Sequence, residues 1–453
     1  MNARYFFQSA NSLILTAAML ALVSASFASA PQEKVLYNFQ GAPDGISSSA
    51  DLVMDEKGNL YGTTTYGGTG TCNDGSGGSI SCGTVFRLSP PSTKGGAWTE
   101  TILYNFLGPT GDGQFPGSPL LLGNNGNLYG TTGSGGNGTA CASGNISAGC
   151  GIVFQLSPPA QAGGPWTETI LYNFQDTGDG YVPIGGLAVD GKGNLYGATL
   201  FDGTAGLGVV YRLSPPAQSG GSWTETVLYN FQGNGDGSGP QAGLIFDKTG
   251  NLFGTTYSGG SANLGTVFQL SPSHHGQSWT ESVLYSFLGS SSGDAANPTS
   301  RLTFDTKGNL YGTTTHGGSS SNCFQAACGT VFSLTHTAGS WTEQVLYSFQ
   351  GGSDGQYPYA KVTFDKKGNL WGTTFQGGSV NSYGTIFKMI PGGSGWTEQV
   401  VHSFQGFPDG DLPIAGLLLG ANGKFYGTTT GDAMLYGTGT VFEVSTPSSG
   451  PQP

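Results

Sequence analysis

Apolar and polar residues alternate along this chain in short bursts, and the bursts recur in one order. Residues 242–287 show it in full: an apolar run AGLIFD (242–247), the turn Asp247-Lys248-Thr249-Gly250, then NLFGTT (251–256), a Gly/Ser loop, GTVFQLS (265–271), a Pro-containing loop SPSHHGQ, and WTESVLYSF (279–287). Each burst has the length and the β-branched and aromatic content of a strand. The residues between them turn the chain for physical reasons: an Asp carboxylate accepts from nearby backbone N–H groups, and Gly tolerates positive φ. The pattern predicts four antiparallel strands per unit, named a, b, c and d in chain order.

The b burst shows how often the unit returns. GNLYGTT begins at Gly58 and Gly126, then comes back as GNLYGAT at Gly193, GNLFGTT at Gly250, GNLYGTT at Gly308, GNLWGTT at Gly368 and GKFYGTT at Gly423, seven copies spaced 68, 67, 57, 58, 60 and 55 residues apart. Tandem units of four short strands predict an all-β, seven-bladed β-propeller with four antiparallel strands per blade. The two ends of the array favour a closed ring over an open solenoid. Residues 35–39 (VLYNF) are a d strand with nothing before it, and the last unit offers strands at 414–419, 425–429 and 440–444 before the chain stops at TPSSGPQP. The N-terminal strand is expected to complete the last blade and so remove two exposed edges.

Composition changes this picture little. Gly makes up 81 of 453 residues, far above the usual ~7%, but at repeated positions flanked by aromatic and β-branched residues, so the chain reads as loop-rich and ordered. Only 9% of residues are charged, with a formal net charge of −12. That excludes an electrostatic footprint for nucleic acid or anionic membranes and leaves few acids and bases for catalysis. Residues 1–30 carry Arg4, an apolar run over 13–23 that is shorter than the ~20 residues of a membrane span, and Ala28-Ser29-Ala30 at the end. This is the pattern of a secretory signal peptide cut after Ala30. The expected organisation is a signal peptide (1–30), one propeller (31–446) and a short flexible tail (447–453), in a chain secreted or held in the periplasm or cell envelope. No later stretch could span a bilayer.

The cysteines agree with export. Cys72 and Cys82, Cys141 and Cys150, and Cys323 and Cys328 occupy one register, each second cysteine standing immediately before a GTVF-like segment. Six cysteines allow many connectivities, and repeat equivalence favours the three local pairs. Each disulfide would contribute roughly 2–3 kcal/mol by loop closure and needs an oxidising compartment. Metal binding lacks the neighbouring His ligands or paired CxxC spacing it would require.

The repeated GNLYGTT, GTVF.LSP and WTE.VLYNF segments resemble the choice-of-anchor tandem repeat GloVer family of exported bacterial proteins, over essentially all of residues 35–444. The resemblance implies an exported repeat protein without an assigned catalytic activity, and it brings no functional residues to carry over. Family members often end in a sorting or anchoring segment, whereas residues 447–453 read as a tail. A weaker likeness, in the D..GNLY turn, is to propellers with NHL-type repeats, some of which are enzymes.

Propeller geometry sorts the loops onto two faces. The a-to-b and c-to-d loops repeat the same D..GN and Ser-Pro turns and read as structural. The b-to-c and d-to-a loops hold the length variation and all three cysteine pairs, and variable loops on a rigid scaffold are where function usually lies. The d-to-a loops carry Asp-Gly at Asp44, Asp112, Asp179, Asp236, Asp354 and Asp409, with Asp294 before Ala. These read as turns, because no D-x-D-x-D-G loop gathers the oxygens of a hard-cation site. Candidate ligand-binding residues on this face are Tyr66, Phe201, Tyr257 and Phe375 just after strand b, Phe115, Tyr181, Tyr357, Tyr359 and Phe407 in the d-to-a loops, and His316. Aromatic rings offer large, rigid contact area. Among the entries to the innermost strands, only Asp51, Arg301 and Lys361 are charged.

The expected function is a non-catalytic exported binding or structural module that is monomeric, needs no cofactor or metal, and takes a glycan or extracellular protein on the variable face. The alternative is a secreted hydrolase or lyase acting on polysaccharide or a small lactone-like substrate at the channel mouth. That alternative requires carboxylates and His316 to meet within hydrogen-bond reach.

Overall fold

Each side chain of GNLYGTT has its own task in strand b of the blade. In the first unit, Asn59 Nδ2 and the Tyr61 hydroxyl both donate to Asp55 Oδ2, at 2.7 and 3.0 Å, which ties the a-to-b turn to the strand it starts. Leu60 is fully buried. Gly62 pairs across the ladder with Phe86 of strand c, and a Cβ there would stand 2.7 Å from the Phe86 ring. Glycine is required because the ring lies over it. Thr63 Oγ1 donates to the Ser118 carbonyl of the next unit, and Thr64 Oγ1 lies 2.8 Å from Thr84 Oγ1 of strand c. One heptapeptide therefore shapes a turn, fills the core and reaches both neighbouring strands and the adjacent blade.

The computed structural model describes residues 31–445 apart from 74–77, 109–110, 139–140, 142–148, 162, 219, 234, 274–277, 324–326, 380, 394 and 432–436. The proposed signal peptide and tail lie outside the described residues. Seven sheets of strands a, b, c and d form the blades of a propeller. Blade 4, for example, runs Ile245–Phe246, Leu252–Thr256, Thr266–Pro272 and Trp279–Ser286. Strand a is shorter than the apolar run 242–247 predicts. Near the axis neighbouring a segments approach backbone to backbone, so that a Cβ on Gly185 would lie 2.6 Å from the Ala242 carbonyl oxygen. The ladder there is confined to two residues.

The last blade contains both ends of the array. Its strands Leu418–Leu419, Phe425–Thr429 and Thr440–Ser445 are completed by Gln32–Asn38, which pairs antiparallel with the c strand from Gln32 against Ser445 to Asn38 against Thr440.

Between blades the packing repeats as closely as it does within them. The Phe that ends each d strand meets the c-strand aromatic of the following blade edge-on, with centroids 5.1–5.3 Å apart, at Phe39–Phe86, Phe106–Phe154, Phe174–Tyr211, Phe231–Phe268, Phe287–Phe332, Phe349–Phe387 and Phe404–Phe442. The pairs run unbroken around the molecule. The Trp of WTE packs on the b-strand aromatic of the preceding blade, as Trp166 does on Tyr61 and Trp98 on Tyr426.

A second inter-blade contact is polar. The d-strand Tyr donates to the Asp of its own Asp-Gly loop, as Tyr172 does to Asp179 at 2.9 Å and Tyr229 to Asp236 at 2.8 Å. The same Asp accepts from loop backbone, so the turn reading of Asp-Gly holds with a hydroxyl added. Beside each Asp stands the Glu at the WTE position of the next blade, and burial followed by the Asp charge pushes that carboxyl up. Glu100, Glu225 and Glu281 rise to about 7, and Glu168, Glu343 and Glu398 to about 8. One oxygen of each of these glutamates is buried without a hydrogen-bond partner, which also favours the neutral form.

Candidate functional site

After each d strand the chain passes its Asp-Gly loop, crosses toward the axis and enters the next blade. At that crossing Ser47, Phe115, Val182, Gly239, Asn297, Tyr357 and Leu412 occupy equivalent places, all with φ of 54–64°. Each backbone N–H donates to the carbonyl just before strand c, at Thr438, Cys82, Cys150, Leu207, Leu264, Cys328 and Tyr383, over 2.7–3.1 Å. The left-handed conformation costs a non-Gly residue about 1–2 kcal/mol, yet glycine stands at one of these seven places. The fold holds the backbone there and lets the side chain vary from blade to blade.

The disulfides support the same face. Cys72–Cys82, Cys141–Cys150 and Cys323–Cys328 are bonded as the register predicts, with Cα atoms 5.2–5.3 Å apart. They close the long b-to-c connections 65–83, 133–151 and 318–329. The shorter connections 200–208, 257–265, 375–384 and 430–439 place Leu207, Leu264, Tyr383 and Thr438 where the second cysteine would stand.

Eight of the ten ligand-binding candidates lie in ring pairs. Tyr66 meets Phe115 at 5.6 Å, Tyr181 meets Phe201 at 5.3 Å, His316 meets Tyr357 at 5.8 Å and Tyr359 meets Phe375 at 5.5 Å. Tyr66–Phe115 and His316–Tyr357 each join a b-to-c residue to the loop entering the next blade. Tyr257 stands near Tyr359, whose phenol is pushed up by burial with Tyr257 and Tyr357 adding to the effect. Phe201 is 37% exposed within its pair, and Phe407, outside the four pairs, is 77% exposed, so apolar surface stays open. His316 Nδ1 lies 3.0 Å from Thr315 Oγ1, and burial holds its pKa below the ordinary histidine value. Among the described residues its ring meets the Thr315 hydroxyl and the Tyr357 ring. His274 and His275 lie outside the described residues.

The three charged entry residues meet at the channel. Lys361 Nζ is 2.6 Å from Asp51 Oδ2, and the other oxygen of Asp51 accepts the Gly416 N–H, so one carboxylate links blades 1, 6 and 7. Burial works against the Asp51 charge, but the Lys361 ammonium and these hydrogen bonds hold the carboxyl below its usual range. No spacing in the sequence announces a contact between residues 310 positions apart. The left-handed ring was equally silent, since six of its seven residues are not glycine.

Among the described residues one group could hold a metal ion. Glu33, His402 and Asp409 place ligand atoms within 4.8 Å of one another. The group stands where Gln32–Asn38 packs beside blade 6, and His402 takes the place of the Tyr used at equivalent interfaces, with Nε2 3.0 Å from Asp409 Oδ2. The imidazole substitutes for the phenol as donor, so a structural contact accounts for it.

A ring of seven four-stranded sheets with one repetitive and one variable face defines a β-propeller scaffold. Within that class, the chain belongs to the Gloeobacter/Verrucomicrobia repeat family, whose model matches residues 138–324 and 322–451. No curated protein matches the sequence. Solved structures similar to it include a fungal alcohol oxidase of the AA5 family in complex with copper, at 13% identity and a TM-score of 0.51 over 92% of this chain and 76% of that one. A protein from Lactobacillus plantarum is 15% identical, with a TM-score of 0.46 over 82% of this chain and 87% of that one. A gluconolactonase from Xanthomonas campestris is 13% identical, with a TM-score of 0.37 over 65% of this chain and 78% of that one. At such identity the likeness to the oxidase shows the fold alone. Among the described residues, no helix is long and apolar enough to cross a membrane.

Proposed function

We propose that this chain is an exported, non-catalytic propeller that binds a glycan on its variable face. The observation that carries the reading is the ring of seven equivalent backbone positions, held left-handed throughout, that presents Ser, Phe, Val, Gly, Asn, Tyr and Leu in turn. A scaffold that keeps the backbone and changes the side chain is suited to recognition. The neighbouring aromatic pairs supply ring faces for stacking on sugars. Export rests on the signal-like pattern of residues 1–30 and on the three disulfides, which persist in oxidising compartments. The hydrolase or lyase alternative needs an acid–base pair at His316, and the hydroxyl and ring beside it do not supply one.

Co-sedimentation of the mature protein with insoluble polysaccharides tests this, alongside a variant with Tyr66, Phe201, Tyr257 and Phe375 changed to Ala. Wild-type binding that disappears in a variant of unchanged Tm supports the reading. Equal binding by both proteins removes the variable face from the account, and failure of the wild type on every polymer moves the ligand class to an extracellular protein.

A further inference from the structure

Beneath the left-handed ring, the entries of all seven blades line an open cavity of about 190 Å3 at the axis. Three charged side chains reach it, and two of them satisfy each other: Lys361 pairs with Asp51, whose second oxygen is taken by the Gly416 N–H. Arg301 is left over. Its stem lies against Gly243 of the neighbouring blade, and among the described residues its guanidinium feels the Asp51 charge without a hydrogen bond to a protein acceptor. The group is partly buried and faces the open channel, and loss of water there pushes its pKa down against the pull of Asp51. The guanidinium fork is thus free to receive an acceptor that enters the channel in place of water.

We propose that Arg301 binds the carboxylate of an acidic sugar unit, a hexuronate, whose ring stands end-on in the axial cavity. The proposal rests on the glycan reading above and names its chemical class. Charge selects a monoanion: Arg301 and Lys361 against Asp51 leave one positive charge, and a dianion would set a second negative charge beside the Asp51 carboxylate. Geometry selects a carboxylate, since the planar guanidinium fork matches two coplanar oxygens. Size selects a single unit, because drug-sized ligands fill pockets of about 300–1,000 Å3 and this cavity is smaller. The remaining wall suits a sugar. Gln241 offers an amide, Tyr359 a ring, and the Thr299 hydroxyl, which donates to the Tyr359 carbonyl at 3.2 Å, keeps its lone pairs for a ligand hydroxyl.

Calorimetric titration of the mature protein with D-galacturonate, D-galactose and acetate at low salt tests the proposal. Galacturonate should bind, with galactose and acetate each weaker by about tenfold or more, as loss of a charged hydrogen bond implies. Arg301→Gln should lose at least that factor for galacturonate, and Arg301→Lys should fall between the two. Because Arg301→Gln removes a charge that holds no protein acceptor, its Tm should match that of the wild type or exceed it, which separates loss of site from loss of fold. Unchanged galacturonate affinity in Arg301→Gln, acetate bound as tightly as galacturonate, or no galacturonate binding by the wild type would each overturn the assignment. Retained sedimentation with a neutral polysaccharide in any of these cases would leave the variable-face reading standing while this inference fails.

Discussion

The two faces of this propeller are built from the same repeat and differ in what the repeat holds constant. On the a-to-b side, Asp190 Oδ1 accepts the Lys192 and Asn194 N–H groups while Oδ2 accepts from Asn194 Nδ2 and Tyr196. Asp55 and Asp247 accept from their turns likewise, as do Asp305 and Asp365. There the backbone turn recurs in every blade and the Asp in five of seven, Gly123 and Gly420 standing at the other two places. On the d-to-a side the Asp of each loop recurs, but at the left-handed position the backbone alone recurs and the side chain does not. In the proposed function the repeated side chains are structural and the repeated backbone alone is a platform.

The largest expected effect strikes what the two faces share. Removing Gln32–Asn38 takes the d strand from blade 7 and the partner of its c strand. Loss of cooperative unfolding throughout the molecule is expected, on the scale of the whole ~5–15 kcal/mol of a folded domain. An open solenoid would fray at one end only, and circular dichroism melts with and without the strand distinguish the two.

Next in size is the pH dependence, in which the two kinds of carboxylate oppose each other. The inter-blade glutamates are raised, to about 7 at Glu100 and about 8 at Glu343, so they favour folding while protonated. Their contribution is complete below the unfolded value near 4.5 and is lost as pH rises through 7–8. The turn aspartates Asp55, Asp190, Asp247 and Asp365 are held low, chiefly by hydrogen bonds that outweigh burial, and their contribution is lost as pH falls below about 4. Tm should therefore peak near pH 5 and decline by pH 8, and Glu343→Gln should flatten the alkaline limb. A Tm that rises from pH 5 to 8 would contradict protonated inter-blade glutamates.

Smaller effects separate the faces themselves. Phe332→Ala, in the core that both faces rest on, should cost about 3–5 kcal/mol in denaturant unfolding. Asp190→Ala on the constant face should cost about 2 kcal/mol, as several satisfied donors lose one acceptor, and leave ligand binding intact. Val182→Gly on the variable face should change stability in the other direction, by about 1 kcal/mol, because a β-branched residue at φ 59° is replaced by the residue that adopts it freely. Destabilisation by Val182→Gly would mean that the left-handed ring is not strained.

The same division explains what the sequence made legible. GNLYGTT announced the blade count and the strand order because each of its residues meets a repeated partner, as Gly62 meets Phe86 and Tyr61 meets Asp55. The cysteine pairs were legible through their shared register. The candidate site was legible only in part. The aromatic residues could be placed on one face, but their pairing, such as Tyr66 on Phe115, depends on how blades abut. The left-handed ring gave no signal because positive φ is usually read from Gly or Asn, and Phe115, Val182, Tyr357 and Leu412 are neither. The Asp51–Lys361 contact and the His402–Asp409–Glu33 group arise only when the ring brings distant blades together.

The most direct test of the division of labour is one experiment on two variants: polysaccharide co-sedimentation and Tm measured together for Asp190→Ala and for the Tyr66, Phe201, Tyr257 and Phe375 to Ala variant. A lowered Tm with full binding in the first, and a preserved Tm with lost binding in the second, is the predicted result. Full binding by the aromatic variant, or loss of binding by the folded Asp190→Ala protein, would contradict the assignment of recognition to the variable face.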